Sequence, residues 1–432
     1  MFGLLITGVF FIGVVGGQQN ASDASLSSAQ GYEGSKVFSS VIANDRIYHD
    51  FLELRSQRKI AFLNDLMREK TSTLYFLVLQ EDVVMVGERL QALGIPFYVV
   101  EEDLQSLLAR ENGGPQMFSN GLLEDGPFDL ISYPSYAQIL KHIDFYVKDP
   151  LRGKHVSKFI IGESYQGRPI VGVRFNRGHS EDKAVIFFEC GIHPREWISI
   201  TTCAWMIHEF SSNAAKYRDI LDVYEVRIVP SANPDGYEYT KTHRFWRGNL
   251  RPSEKNPRCK GVDINRNFDV GEFCGPGTSQ DPCNEEYCGD SPFSEPESHA
   301  LKNAILVVQD RLHYYISLHA YGQLWMYPHS YTTEDAKDHE RFHRKASAGA
   351  RAIREMSGKN YTVGPIAQTL YAVTGSSVDW AYEHGARNAF VIELPPTQAE
   401  ARGAMGFIVM PDKIQSIAQS TFHGIRAMIK SD

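Results

Sequence analysis

Residues 189–199, ECGIHPREWIS, contain the only His-x-x-Glu in a chain of 432 residues and 15 histidines. An imidazole and a carboxylate at this spacing can hold a divalent metal. A hydrolytic zinc site takes three protein ligands and keeps a fourth position for water. A chain of this length contains about one such spacing by chance, so His193 and Glu196 need a third ligand, a base and a pocket before they mean anything. Pro194, directly after His193, argues against the helical i,i+4 pair of an HExxH protease and places the two on a tight turn. His319, at the end of HYYISLHA, is the candidate third ligand, and Glu393, at the end of NAFVIEL, is a carboxylate suited to proton transfer.

Two further segments carry chemistry. KGVDINRNFD supplies Asp263, a carboxylate able to hold the tautomer of a metal-binding histidine. It also supplies Asn265 and Arg266, which together could clamp a carboxylate, since a guanidinium binds one bidentately. HRFWRGN adds Arg244 and Arg247 around an aromatic pair. Taken singly, these segments read as a surface turn and a solvated strand end.

The elements that must position these groups alternate. AVIFFEC, YEVRIVPS, HYYISLHA and NAFVIEL are β-branched and aromatic runs of the kind buried on both faces of a mostly parallel sheet. Helices are expected near 197–211, 296–307, 336–357 and 411–429. Ligands bind beyond the carboxyl ends of such strands. His193 and Glu196 follow AVIFFEC, while His319 and Glu393 end two other runs, so all four fall at one edge of one sheet.

Ahead of this unit lies a smaller α/β pattern: strand KVFSSVI, a helix around YHDFLELRSQRKIAFLNDLM, strand LYFLVL, helix EDVVMVGERLQALG, strand PFYVV and helix EEDLQSLLARE. The Gly-rich stretch NGGPQMFSNGLLEDGPFD is the boundary. The expected organisation is a leader over 1–17, a first domain with its connector over 18–125, and a second domain over 126–432. The leader MFGLLITGVFFIGVVGG is an apolar run ending in small residues, with Val15 and Gly17 suited to a cut, so export is expected. Six cysteines then imply disulfides, with 15 pairings open to counting alone. Asn20 and Asn360 head glycosylation sequons. The net charge of −8 excludes nucleic acid as the main partner. No later stretch is long enough to span a membrane, and a monomer is expected. Residues 18–125 hold 9 basic and 16 acidic side chains, a net −7, which leaves 35 basic and 36 acidic in the remainder.

Taken together, FIIGESYQGRPI, GIHPREWIS, HRFWR, GVDINRNFD, SLHAYGQLWMYP, YAVTGSSVDWAYEHG and VIELP resemble the zinc metallocarboxypeptidases of the digestive A/B type in zymogen form, over nearly the whole chain. The resemblance implies a mixed, mostly parallel α/β sheet flanked by helices, preceded by a small α/β open-sandwich pro-domain. It implies one Zn2+ on His193, Glu196 and His319, with Asp263 supporting His193. It makes Glu393 the general base and Arg247 the stabiliser of the oxyanion. Asn265, Arg266 and Tyr371 would hold the substrate's terminal carboxylate, with Arg195 and Tyr321 as further contacts along the peptide. The partners implied are peptide or protein C-termini and an activating protease.

The same resemblance, here to the B-type enzymes, would pair Cys190 with Cys203, Cys259 with Cys283 and Cys274 with Cys288. B-type enzymes carry Asp where this chain has Val378, which joins Met326, Ile366, Leu370, Val373 and Val391, with Ser330 as the one polar wall. That apolar pocket implies A-type preference for apolar or aromatic C-terminal residues; the alternatives are B-type preference for Lys or Arg, and an inactive binding homologue. The acidic first domain is expected to complement Arg195, Arg247 and Arg266 beneath it. The connector has no Lys or Arg after Arg110, which departs from the basic connector of the digestive relatives.

Overall fold

The computed structural model describes residues 31–57, 59–63, 72–112, 130–178, 180–401 and 406–431. The expected leader, Asn20 and nearly all of the connector lie outside the described residues.

The first unit comprises β1 (Lys36–Ile42), α1 (Asp45–Ser56), β2 (Ala61–Phe62), β3 (Ser72–Val78), α2 (Val83–Ala92), β4 (Phe97–Glu101) and α3 (Leu104–Glu111). Its strands form an antiparallel sheet in the order β2-β3-β1-β4. Phe38, Phe51, Leu54, Phe76 and Leu90 fill its core. The Asn44 side chain caps α1 by accepting from the Ile47 N–H. The helix stops at Ser56, well short of the expected run. Beyond it Ile60 and Phe62 are buried while Ala61 between them is not, and Ala61 and Phe62 pair with Leu77 and Phe76. That two-residue period suits a strand and not a helix.

In α3, Leu104, Leu107, Leu108 and Glu111 are all buried. Their i, i+3, i+4, i+7 spacing places them on one face. This face meets the second unit in a cluster that also holds Leu63, Phe245, Phe407 and Ile408.

The second unit runs α4 (Tyr136–Lys148), β5 (Val156–Glu163), β6 (Pro169–Phe175), β7 (Ala184–Cys190), α5 (Trp197–Ser212), β8 (Tyr224–Val229), α6 (Pro296–Leu306), β9 (Leu312–Ala320), β10 (Leu324–Tyr327), α7 (His339–Ser357), β11 (Thr362–Pro365), α8 (Ser377–Glu383), β12 (Asn388–Leu394) and α9 (Pro411–Ile429). The eight strands are ordered β11-β10-β12-β9-β7-β8-β6-β5. The central four, β12-β9-β7-β8, are parallel, and antiparallel partners flank them on both sides. Alternate residues of β7 feed opposite cores, as the pleat requires. Ile186 and Phe188 pack with residues of α4, α5, α7 and α9, and Val185 and Phe187 with residues of α6 and α8.

The expected mixed sheet with a parallel centre and flanking helices is therefore present. Helix α4 and strands β5, β6, β10 and β11 were not among the expected elements. A signal for α4 was available: Ser135 and Gln138 form a capping box ahead of Tyr136, Ile139, Ile143 and Tyr146 at helical spacing. The three disulfides join Cys190 to Cys203, Cys259 to Cys283 and Cys274 to Cys288, the pairing the resemblance implies.

Candidate active site

The turn after β7 is held tightly. Gly191 has φ +66°, and a Cβ there would lie 2.6 Å from Ile200. Its N–H donates to the Ser199 hydroxyl, which donates to the Leu318 carbonyl on β9. Asn233 donates to the Ile192 and Gly248 carbonyls, tying this turn to the segment that carries Arg247. His319 lies near the end of β9, and Glu393, on parallel β12, is its register partner.

Three donors converge here. His193 Nδ1 is 2.8 Å from Glu196 Oε1, His319 Nδ1 is 3.1 Å from Glu196 Oε2, and the two Nδ1 atoms are 3.2 Å apart. All three residues are buried. The far nitrogens already have partners: His193 Nε2 lies 3.1 Å from Asp263 Oδ1, and His319 Nε2 lies 2.8 Å from the Ser317 hydroxyl, which donates to buried Glu189. With each Nε2 engaged outward, the two Nδ1 atoms and the carboxylate face a common point. This donor set fits a zinc ion: two imidazoles and a carboxylate, with a carboxylate behind one imidazole. Burial opposes the charge on Glu196, but the two histidines outweigh it and hold its carboxyl far below the usual range. Burial likewise opposes the charge on Asp263, and Arg247, Arg266 and His193 together hold it well below the ordinary value.

One cleft is lined by His193, Arg195, Glu196, Arg247, Asn265 and Arg266 from one side of the sheet edge. His319, Tyr321, Tyr371, Val378 and Glu393 line it too. Asp263 stands behind, where Oδ2 accepts from Arg247 Nε at 2.8 Å. Arg266 is braced by the Gly277 and Asn265 carbonyls, and its Nη2 lies 3.5 Å from the Tyr371 hydroxyl. Gly375 makes this approach possible: its φ is +76°, and a Cβ there would sit 2.3 Å from the Arg266 carbonyl oxygen. Met326, Ser330, Ile366, Leu370, Val373 and Val391 line the same cleft beside Val378.

Sequence reasoning missed several contributors. Glu189 and Ser317 back His319, Ser376 lines the pocket, and buried Asp379 stands behind Ser330. Phe407 also lines the cleft, with the Arg195 guanidinium 4.5 Å from its ring centroid and Tyr321 edge-on at 5.0 Å. Leu63 of the first unit lines it as well. Among the described residues, the ion pairs of Arg195, Arg247 and Arg266 are made within the second unit: Arg195 with Glu285, and Arg247 and Arg266 with Asp263. Among the described residues the ion pair between the units is Glu111 with Arg244, bidentate at 2.6 Å and buried. The described carboxylates of the first unit lie mostly on its exposed faces.

A family model described as Zinc carboxypeptidase matches residues 151–424. Carboxypeptidase A4 of Mus musculus is 35% identical over 362 residues, covering 82% of this chain and 83% of its own length. Carboxypeptidase B of Homo sapiens is 30% identical over 404 residues, 91% and 92% of the two chains. The crystal structure of thrombin activatable fibrinolysis inhibitor aligns with a TM-score of 0.82 at 28% identity, covering 92% of this chain and 98% of that one. A matched family model, relatives along most of the chain, and a buried His-Glu-His donor set at the edge of the matching sheet agree on one point. The chain belongs to the zinc carboxypeptidase family: it is a metallocarboxypeptidase, a peptide hydrolase of the exopeptidase class.

Proposed function

We propose that the chain is a secreted carboxypeptidase zymogen that removes apolar or aromatic C-terminal residues, with one Zn2+ held by His193, Glu196 and His319. Zinc, when bound, brings the pKa of a water to roughly 7 and acts as a Lewis acid toward the scissile carbonyl. Glu393 accepts the proton of the attacking water and returns it to the leaving amine. Arg247, fixed by Asp263, stands ready for the developing oxyanion, charge stabilisation that needs no reorganisation at the moment of reaction. Arg266 and Asn265 take the substrate's terminal carboxylate, with Tyr371 closing over it. An internal peptide bond offers no such carboxylate and leaves that buried guanidinium without its anion.

The observation that carries the apolar preference is the cleft wall of Met326, Ile366, Leu370, Val373, Val378 and Val391. Burying a Phe or Leu side chain there is worth about 1.5–3 kcal/mol. Relatives of both A and B type match this chain, and Val378, at the position where B-type enzymes carry Asp, supports the A-type reading. The apolar run over 1–17, ending in small residues, supports export. Seating of Leu63 in the cleft, with α3 packed beside it, supports a first unit that blocks peptide entry until an activating protease removes it. The test is zinc content together with kcat/KM on peptides ending in Phe, Leu, Lys and Glu, before and after limited proteolysis. Faster release of Lys than of Phe would refute the A-type reading, and an active intact chain would refute the zymogen reading.

A further inference from the structure

We infer that the side-chain pocket carries a hydrogen-bond acceptor in its apolar wall, so that the enzyme prefers C-terminal residues with an apolar body and a neutral donor at the tip, tyrosine ahead of phenylalanine. This rests on the carboxypeptidase reading above and concerns its substrate class.

Ser330 and Ser376 both line the cleft, and both are buried. Their hydroxyl oxygens are 2.8 Å apart. Behind them Asp379, with no exposed surface, accepts at Oδ2 from both the N–H and the hydroxyl of Ser330, each at 2.6 Å. A serine hydroxyl has one proton to give. The Ser330 oxygen also lies 2.9 Å from the Val373 carbonyl, but a carboxylate at 2.6 Å is the stronger acceptor. The Ser330 proton therefore goes to Asp379, and the Ser376 proton goes to the Ser330 oxygen. Ser376 Oγ receives the Asp379 N–H at 3.4 Å and has acceptor capacity left over. The relay is polarised away from the cleft, and a ligand in the pocket meets a lone pair rather than a proton.

That polarity needs Asp379 ionised. Burial pushes its carboxyl up to about 6, the Ser330 hydroxyl and amide and His329 pull it down, and Glu383 adds to the rise. Both donors of Ser330 converge on Oδ2, an arrangement that favours the ionised carboxylate. A phenol can donate to Ser376, and the ring of Phe cannot. A carboxylate tip would meet lone pairs. A lysine would bring a full charge among aliphatic walls, and desolvation would count against it.

The experiment uses the zinc-loaded full chain, cleaved by limited proteolysis without separating the fragments. The substrates are four peptides identical except for a C-terminal Tyr, Phe, 4-fluorophenylalanine or Lys. Fluorine approximates the size of the hydroxyl but donates nothing. The expected kcat/KM for Tyr exceeds that for 4-fluorophenylalanine by about three- to tenfold, the scale of one neutral hydrogen bond, with Phe close to the fluoro analogue. Ser376→Ala should bring the Tyr ratio to near one. Asp379→Asn, whose amide can donate to Ser330 and turn the relay round, should lower it too. Each ratio is internal to one protein, so a smaller folded fraction in a variant does not move it. A ratio of one or less in the parent, a ratio that survives Ser376→Ala, or Lys as the best substrate overturns the proposal. Silence toward all four peptides sinks the carboxypeptidase reading and this proposal with it, whereas activity with a flat ratio sinks the proposal alone.

Discussion

Replacing Glu111 by Gln keeps the shape of the side chain and removes its charge, and the intact chain should become measurably active as a result. Glu111 is fully buried on the face of α3 that meets the second unit, and both its oxygens receive Arg244 at 2.6 Å. Breaking a buried pair by removing one partner costs about 3–5 kcal/mol, because the other charge is left uncompensated. Arg244 is not left bare, since it also donates to the Arg195 carbonyl at 2.7 Å and the Phe407 carbonyl at 2.6 Å. Crediting those two bonds reduces the loss to about 2–3 kcal/mol, or roughly 30- to 150-fold in the docking equilibrium at 1.4 kcal/mol per decade. The apolar contacts of Leu104, Leu107 and Leu108 remain, so docking weakens without being abolished. The assay is hydrolysis of a small peptide ending in Phe by uncut protein, normalised to the same sample after full proteolysis, with gels to show that the chain is intact. Glu111→Gln should raise the uncut fraction of activity by at least tenfold. A change smaller than threefold would show that the pair does not govern access, and that the apolar cluster alone holds the first unit in place.

The remaining predictions test other parts of the molecule. Glu393→Gln should retain zinc and lose about 10²–10⁴ in kcat; turnover within tenfold of the parent would remove Glu393 from the role of base. Val378→Asp places a carboxylate in the apolar wall and should shift the Phe-to-Arg preference toward Arg, measured as a ratio of kcat/KM; an unchanged ratio would mean that Val378 does not touch the substrate side chain. Glu297 is buried and its carboxyl is pushed up to about 7 by desolvation, against the donors Asn249 and Tyr165 N–H. Its contribution is therefore present below about pH 4.5 and lost as pH rises toward 7, up to about 3 kcal/mol. Glu297→Gln should flatten that part of the stability profile in denaturant titrations, and an unaltered slope would refute the assignment. Trypsin should activate the chain slowly. Arg110 is exposed, but its peptide bond lies at the end of α3 and Glu111 is locked on Arg244, so cleavage needs local unfolding first. Fast activation with a new N-terminus at Glu111, found by N-terminal sequencing, would contradict this.

The parallel centre of the large sheet was legible because β7, β9 and β12 are short, mostly apolar runs, a signature that burial on both faces imposes, and β8 is rich in β-branched residues. Their carboxyl ends then located His193, Glu196, His319 and Glu393 without any contact being known. The antiparallel margins were harder to see. In β5 the pattern is half exposed, and β10 and β11 have only four residues each, too few for a period to register. The helix expected beyond Ser56 failed for a related reason. Leu52 and Leu54 are separated from Ile60 and Phe62 by a polar run that carries no Gly or Pro, and only pairing with β3 shows that the period changes beyond it.

At the site, what could be read were groups whose chemistry is unusual where they stand, such as a histidine at a strand end or Arg next to Asn in a turn. What could not be read were groups that act through another residue. Asp379 stands beside Val378 in sequence, yet its partner Ser330 is 49 residues away, and no local spacing reveals that a buried carboxylate sets the direction of a hydroxyl in the pocket. Glu189 reaches His319 through Ser317 across two strands, a relation fixed by register alone. Glu111 was visible only as one of 16 acidic residues in a net charge. A net charge has no direction, so the sum could not single Glu111 out. The position of Glu111 on the Leu104, Leu107, Leu108 stripe was the better signal. A carboxylate at the i+7 position of an apolar helix face must either lie exposed at the edge of the contact or find a buried cation, and here it finds Arg244.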